Sequence, residues 1–587
     1  MPRTIVIIGA GFAGVWSALS AKRLTNLTDQ GGIINIIVIA PEPYLVIRPR
    51  LYESNASSMK HPLMTLFESA GVQFLQGTAE TIDAQAHIVH VRSPAGIESD
   101  VSFDRLILAA GSSVVRPQNV TGLQQHAFDI DTLESASKLE THLEGLASRQ
   151  SGAARDTIVV CGAGFTGIEL ATELPKRLGH LASPRIILVE GAHQLGPELG
   201  QGPRPIITEA LENLGIEIKL GSAVASIDSH SVTLLSGERI ETLTSIWTAG
   251  VLATPLTNQI PGARDKLSRI HVNRHLRSLS SDHVFVTGDA AYAAADEEGH
   301  HALMSCQHAL QLGRISGHNA AADLMNEPLL EYSQAAYNCC LDLGSWGAVV
   351  TGGWDREVKI RGDLAKRAKG YINQKLIYPP SDAQEALQAA SPAGPDSDEL
   401  FKQILAVLKA NLEAVFIQAG PVDHIIFTAA DSLYLMILQA LTPNKILAAC
   451  QMRLVAPLMA AKVTARHLPK SNKSSIIITS SSAAHKSIPG WSVVSYFAAG
   501  LQDMVKQLAV ILKPLRINAV ARGYVDTGLW DGMEPEEKKA MVEVVEGTMP
   551  TGQFGGVEDV VEAYLWLMKD RNVTGTVAAT DSGVMAV

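Results

Sequence analysis

Two glycine turns are the features of this 587-residue chain whose residue types and spacing most directly imply chemistry. Gly9-x-Gly11-x-x-Gly14 follows the apolar run over residues 4–8 and opens a helical stretch over 15–24. In that setting the first glycine makes a tight turn, the second lets backbone approach a pyrophosphate, and the third lets the helix lie close on the strand. The helix N-terminus then offers N–H donors to the phosphates. Gly162-x-Gly164-x-x-Gly167 repeats the pattern after the apolar run over 157–160. One such turn can serve packing alone; two in one chain argue for two bound dinucleotides.

The strands behind the turns bear on which dinucleotides these are. Ile186-Ile-Leu-Val189 ends in Glu190, placed to accept hydrogen bonds from an adenosine ribose diol. A carboxylate there repels a 2′-phosphate, which favours NADH over NADPH. The bland alternative is a carboxylate that merely ends an exposed strand. In the first unit the strand over 34–39 ends in Ala40, where an acidic residue is expected, and the nearest carboxylate is Glu42. Either Glu42 substitutes at the ribose or binding is weakened there.

Further along come Leu106-Ile-Leu-Ala-Ala110-Gly111, Ile246-Trp-Thr-Ala-Gly250 and Val284-Phe-Val-Thr-Gly288-Asp289-Ala, with Arg48-Pro49 upstream. With the two turns, this ordered set resembles the two-dinucleotide flavoproteins, in particular type II NADH dehydrogenases and AMID-like (apoptosis-inducing-factor-like) oxidoreductases, over residues 1 to about 378. The resemblance implies FAD held by Gly9, Gly11, Gly14, Arg48, Ala110, Gly111 and Gly288, with Asp289 on the ribitol, and Glu42 is the candidate substitute for the carboxylate missing at Ala40. It implies NADH held by Gly162, Gly164, Gly167 and Glu190. Hydride would pass from nicotinamide to flavin, and the reduced flavin would reduce a small-molecule electron acceptor. The protein supplies position and electrostatics while the cofactor does the chemistry, so no catalytic acid or base is assigned.

For the acceptor, the segment from Met304 to Leu312 stands where type II enzymes carry a quinone-lining Ala-Gln-x-x-x-Gln-Gln stretch. It keeps Gln307 and Gln311 and has Leu312 for the last glutamine. A quinone-like or specialised-metabolite acceptor is the expectation. Cys306 and the adjacent Cys339-Cys340 read as packing residues rather than redox centres. Arg356, Lys359, Arg361, Lys366, Arg367, Lys369 and Lys375 stand among apolar residues over 356–375. That pattern is similar to the membrane-surface helix of quinone-reducing relatives and would give a weak membrane-surface contact. The preferred reading, for a short segment bounded by Gly362 and Gly370, is a solvated face.

From 399 to 587 the chain resembles a short-chain dehydrogenase/reductase (SDR) without its beginning. The signs are strands over 422–428, 475–480 and 516–520, helices over about 440–467 and 497–512, Asp526-Thr-Gly-Leu-Trp-Asp-Gly-Met533, and Val573-Thr-Gly-Thr-Val577. SDR chemistry needs a Tyr, a Lys one helical turn later and a Ser. The alignment puts Ser481, Val494 and Ala498 at the Ser, Tyr and Lys positions and Arg453 at the relay asparagine, with Tyr496 out of register. Thr428-Ala-Ala-Asp431 replaces the usual strand motif, and no glycine turn precedes the segment. A pocket around Arg453, Ser481 and Trp491 is the expected place for any ligand; a structural or dimerising role, giving a homodimer, is preferred.

These sites need a large scaffold. A single core stops growing near about 250–300 residues, so two to four domains are expected. The expected fold is α/β: a two-dinucleotide-binding flavoprotein fused to a partial Rossmann-like SDR domain. Residues 1–115 and 251–325 form the FAD domain, 116–250 the NAD(H) domain, 326–378 a C-terminal subdomain, 379–398 a linker rich in Pro, Ala and Ser, and 399–587 the degenerate SDR-like domain. A net charge of −11 with no long Lys/Arg block argues against nucleic acid. Five cysteines without Cys-x-x-Cys spacing give neither a disulfide framework nor a metal site. Met1-Pro2-Arg3 runs straight into a strand, and no apolar run reaches the ~18 residues of a membrane span. A cytoplasmic location is expected. The competing function class is a non-redox, cyclase-like or substrate-binding protein with a structural flavin.

Overall fold

Runs of Ile and Val, with 4–8 the first, make strands buried on both faces, the mark of parallel sheets covered by helices on each side. The computed structural model describes residues 3–28, 32–334, 337–394, 419–428, 450–486, 490–527 and 535–586, with 416 and 446 singly. It divides into two compact units, residues 1–396 and 397–587.

The first unit runs β1 (Arg3–Ile8), α1 (Phe12–Leu27), β2 (Ile34–Ala40), β3 (Gln73–Gln76), β4 (Arg105–Leu108), β5 (Ala127–Phe128), β6 (Thr157–Cys161), α2 (Phe165–Arg177), β7 (Arg185–Val189), β8 (Ile216–Lys219), β9 (Thr244–Trp247), β10 (Val284–Val286) and α3 (Cys306–Met325). Two parallel sheets share one plan, β10-β4-β1-β2-β3 and β5-β9-β6-β7-β8. In each, the strand that feeds the glycine turn is central. On one side lies the strand that leads to an Ala-Gly corner, and on the other the strand that ends at Ala40 or Glu190. Ligands of such sheets bind outside the carboxyl ends of the strands, where both turns sit.

Helix α1 is buried along most of its length because α3 lies directly on its backbone. A methyl carbon on Gly313 would stand 2.4 Å from the Ala13 carbonyl oxygen, and one on Gly317 2.1 Å from that of Ser17. Ser17 and Ser20 seal the contact by donating to the Gly313 and Arg314 carbonyls at 3.1 and 2.7 Å. The pair Gly313 and Gly317 therefore fixes α1, and with it the first glycine turn.

The unit continues with an antiparallel sheet, β11 (Asn338–Asp342), β12 (Ala348–Gly352) and β13 (Glu357–Gly362), then α4 (Asp363–Tyr371) and α5 (Ala383–Ala389). Helix α5 corrects the expected linker over 379–398. The Asp382 carboxylate caps it by accepting the Gln384 and Glu385 N–H groups at 2.9 Å, and Ala386 and Ala390 are buried in the core of the first unit. Alanine favours a helix wherever one face can be buried, so the same composition that reads as linker serves here as packing.

The second unit runs β14 (His424–Phe427), α6 (Ala456–His467), β15 (Ser475–Ser481), α7 (Ser492–Ile511), β16 (Arg516–Arg522), α8 (Val557–Lys569) and β17 (Val577–Thr580) among its described residues, with β14-β15-β16-β17 a parallel sheet. Buried Arg516 ties the sheet to α8: it donates to the carbonyls of Leu567, Met568 and Asp570 at 2.6, 2.8 and 2.8 Å, groups a helix end leaves unpaired. Residues 399–415, most of 440–449, residues 429–431 and 528–533 lie outside the described residues.

Candidate functional site

The two glycine turns are near copies in three dimensions. Gly9 and Gly162 take φ of 108° and 113°, a conformation glycine adopts without strain. Each is roofed by the Ala-Gly corner of the neighbouring strand: a methyl carbon on Gly9 would stand 2.5 Å from the Ala109 carbonyl oxygen, and one on Gly162 2.9 Å from Ala249 Cα. On Gly14 and Gly167 it would fall 1.9 and 1.8 Å from the carbonyl oxygens of Gly9 and Gly162, so each helix seats only without a side chain there. Gly11 and Gly164 cap α1 and α2 with φ, ψ of −76°, −174° and −78°, −172°. The face of Gly11 meets no atom within 4 Å. Exposed backbone at the amino end of a buried helix fits a pyrophosphate, and the residues present fit FAD at the first turn.

Beyond that turn, Gly288 at φ 61° comes within 2.8 Å of Ala13 Cβ when given a methyl carbon, which sets Asp289 beside the start of α1. The Asp289 carboxylate accepts from Ser112 Oγ at 2.6 Å and lies 3.7 Å from Arg48 Nη1. Arg48 also donates to Ser112 Oγ at 2.9 Å and pairs with Asp131, whose second oxygen accepts the Val114 N–H at 3.0 Å. Arg48 and Asp289, singled out in the sequence, are thus brought together, and Ala110 and Gly111 lie half-buried in the adjoining corner. Ser112 and Asp131 were not foreseen; nothing in their local spacing marks them. Ala40 is buried, its carbonyl accepting from Gly77 at 2.9 Å. Glu42 stands exposed two residues past the strand, with a hydrogen bond to the Tyr44 hydroxyl.

At the second turn Glu190 is half-buried and engaged. Its Oε2 accepts the Ala163 N–H at 2.7 Å and its Oε1 the Ala192 N–H at 2.9 Å, so it ties the end of β7 to the middle of the turn and is no free strand end.

At the start of α3, Gln307 is half-buried behind Ser305, whose Oγ caps the helix by accepting from His308. Gln311 is engaged within the unit: its amide donates to the Pro392 carbonyl at 2.6 Å, in the segment after α5. Leu312 is core. Burial pushes the Cys306 thiol up, and those of Cys339 and Cys340 up to about 12, which leaves them protonated and unreactive.

A buried charged centre links α2 to the C-terminal subdomain. Glu169 Oε1 accepts from Lys369 Nζ at 2.7 Å and from the Asp342 N–H at 3.0 Å. Lys369 also donates to the Cys340 carbonyl at 3.0 Å, the Tyr52 hydroxyl donates to Asp342 at 2.9 Å, and Lys366 pairs with Asp342. Burial works against the Lys369 ammonium, and the Glu169 carboxylate more than offsets it, holding its pKa above the ordinary range. This arrangement draws part of 356–375 inward. Arg356 is buried against the Tyr337 ring at 4.3 Å, Lys366 and Lys369 point into the centre, Lys359 pairs with Glu357 at 2.6 Å and Arg361 lies 3.8 Å from Glu209. Arg367 and Lys375 are exposed, so the segment is solvated in part and drawn into the protein in part.

In the second unit the three pocket residues gather at the carboxyl end of β16. Ser481 is the register partner of Arg522, Trp491 meets Tyr524 edge-on at 6.3 Å, and burial together with the like charge of Arg453 holds the Arg522 guanidinium below its usual range. Arg522 was not foreseen. Val494 and Ala498 are buried, while Tyr496 is 68% exposed.

Comparison with known proteins agrees with this geometry. Residues 3–313 match the family model for pyridine nucleotide-disulphide oxidoreductases, and 397–587 that for the SDR-like Rossmann domain. An NADH dehydrogenase-like protein of Mycobacterium tuberculosis is 42% identical over 397 residues, 66% of this chain and 98% of that protein. A type II NADH:quinone oxidoreductase of Staphylococcus aureus is 26% identical over 399 residues, 64% of this chain and 95% of that protein. The short-chain dehydrogenase/reductase fsr5 of Gibberella fujikuroi is 39% identical over 176 residues, 30% of this chain and 66% of that protein. With two turns of one design on two sheets of one plan, and a family match over more than half its length, this chain belongs to the pyridine nucleotide-disulphide oxidoreductase family and is an enzyme built for FAD and NADH.

Proposed function

We propose that the first unit oxidises NADH and delivers the electrons to a quinone-like small molecule. The observation that carries this reading is the pairing of two pyrophosphate-type turns, one roofed by 109–111 and the other by 248–250, in a single unit. FAD, when bound, supplies the ring that accepts hydride. The chain supplies the positions. Gly9, Gly11 and the first N–H groups of α1 bind the FAD pyrophosphate, with Gly14 seating the helix. Asp289 takes the ribitol, held in place by Ser112, and Arg48 fixes both against Asp131. Gly162, Gly164 and Gly167 do the same work for NADH. Glu190, already fixed by two backbone donors, has lone pairs left for a ribose diol and repels a 2′-phosphate. At the first unit Ala40 offers no carboxylate, and Glu42 serves the ribose by turning from Tyr44.

Likeness to type II NADH:quinone oxidoreductases supports the acceptor class, with Gln307 the residue nearest that role. Among the described residues no helix is long and apolar enough to cross a membrane. In the second unit we infer a substrate-holding or pairing role rather than SDR catalysis. Exposed Tyr496, Val510 and Ile511 on α7 favour pairing of two chains through that helix, and the residues around Arg522 favour a ligand. The test is steady-state NADH oxidation with a water-soluble quinone. Gln307→Ala should raise the KM for quinone and leave that for NADH unchanged. Oxidation that proceeds at the same rate without quinone would assign the electrons to dioxygen and refute the acceptor.

A further inference from the structure

The two turns differ at one point. Their caps share the same backbone conformation, yet a methyl carbon on Gly11 would meet nothing within 4 Å, whereas one on Gly164 would stand 2.8 Å from Oε1 of Glu198. The face that the first turn leaves open for a pyrophosphate therefore carries, at the second turn, a carboxylate of the chain itself.

That carboxylate arrives on a turn fixed at both ends. Gly196 and Gly200 take φ of 34° and 74°. A methyl carbon on Gly196 would lie 3.1 Å from the carbonyl oxygen of Ala163, in the middle of the glycine turn, and one on Gly200 2.8 Å from the side chain of buried Arg356. Between them Leu199 is buried and Glu198 is exposed. The amino end of α2 is a positive feature beside it, since the first turn of a helix carries unpaired N–H groups and the positive end of its dipole. An anion is stabilised there whether it belongs to a ligand or to the protein.

We propose that Glu198 is a resident anion at the NADH phosphate site, its carboxylate standing on the start of α2 until the pyrophosphate displaces it. The proposal rests on the reading that the second turn takes NADH. It follows that Glu198 lowers dinucleotide affinity, because binding must first move a carboxylate off the site and then hold two phosphate charges near it. A pyrophosphate alone meets the same competitor, whatever nucleoside it carries. Glu190 and Glu198 then have separate tasks, the first selecting the ribose and the second opposing the phosphates.

The test uses the full FAD-loaded chain and the variants Glu198→Gln and Glu198→Ala, compared by titration with NAD+ and with inorganic pyrophosphate as competitor. The exposed position makes both variants soluble, which is checked by their flavin content. A carboxylate at a helix N-terminus is worth a factor of about two to five in binding. Both variants should therefore bind NAD+ about two- to fivefold more tightly than the native chain, and pyrophosphate should compete more strongly in both. Native-like dissociation constants in both variants overturn the proposal. So does weaker binding, which would make Glu198 a contact to the dinucleotide. If the native chain neither binds NAD+ nor is reduced by NADH, the reading of the second turn falls and takes the proposal with it.

Discussion

Replacing Lys369 with Met would strand Glu169. The two side chains are 9% and 10% exposed and meet at 2.7 Å, and among the described residues the remaining donor to Glu169 is the Asp342 N–H. Removing one partner of a buried ion pair costs about 3–5 kcal/mol because the other charge is left without compensation. For a unit of this size a kcal/mol shifts the midpoint by roughly 2 °C, so the thermal midpoint should fall by about 6–10 °C at pH 8. The pH dependence has a definite sign. Burial already pushes the Glu169 carboxyl up, and without Lys369 it rises further, so the folded variant keeps its proton to higher pH than the unfolded chain does. Stability so gained is full below the unfolded pKa and lost as pH rises, hence the deficit should be smaller at pH 5 than at pH 8. The double variant Glu169→Gln, Lys369→Met should recover much of the loss, since no charge is then stranded. The assay is tryptophan fluorescence during heating at both pH values. A fall of less than about 2 °C, or one equal at both pH values, would refute this reasoning.

Three further outcomes follow from the geometry. Gly11→Ala keeps the fold, because its added carbon meets nothing in the protein, and weakens FAD by about 1–3 kcal/mol through crowding of the phosphate; Gly14→Ala, 1.9 Å from a carbonyl oxygen, should give colourless, poorly folded protein. Retained flavin in Gly14→Ala would contradict the account. Burial first, then Arg356 and Arg269, push His308 down to about 4. The unfolded imidazole takes a proton below its ordinary pKa that the folded one refuses, so stability is complete above about pH 6.5 and drains toward pH 4, with about 2 kcal/mol lost by pH 5. Unfolding midpoints of His308→Gln should show a flatter slope over pH 5–7, and an unchanged slope would assign the effect to another group. Arg516→Met leaves three buried or half-buried carbonyls at the end of α8 without their donor and should destabilise the second unit by about 2–4 kcal/mol; calorimetry should show its transition shift while that of the first unit stays.

How much of this was legible in the sequence depends on how local each signal is. The glycine turns are fixed by backbone requirements within a few residues, so their spacing located them, whereas the Ala-Gly corners and Gly288-Asp289 were found through resemblance to the two-dinucleotide flavoproteins. Ser112, Asp131, Glu198 and the Glu169–Lys369 pair act through contacts between distant segments, and each looks ordinary among its neighbours. Gly313 and Gly317 were readable in principle, since two glycines one helical turn apart signal a backbone-close helix contact, here with α1. Helix α5 was hidden by its own composition, although Asp382 three residues before Glu385 is a helix-start signature. In the basic segment over 356–375 charge sign is visible in the sequence, whereas the carboxylates that pair with Lys366 and Lys369, Asp342 and Glu169, come from elsewhere in the chain.

Two dinucleotides meeting in the first unit require that NADH reduce the flavin. Anaerobic titration of the purified, FAD-loaded chain with NADH tests it most directly. The flavin absorbance should bleach completely at one equivalent of NADH per FAD and return when a quinone is added. Bound FAD whose spectrum does not change with excess NADH would contradict it.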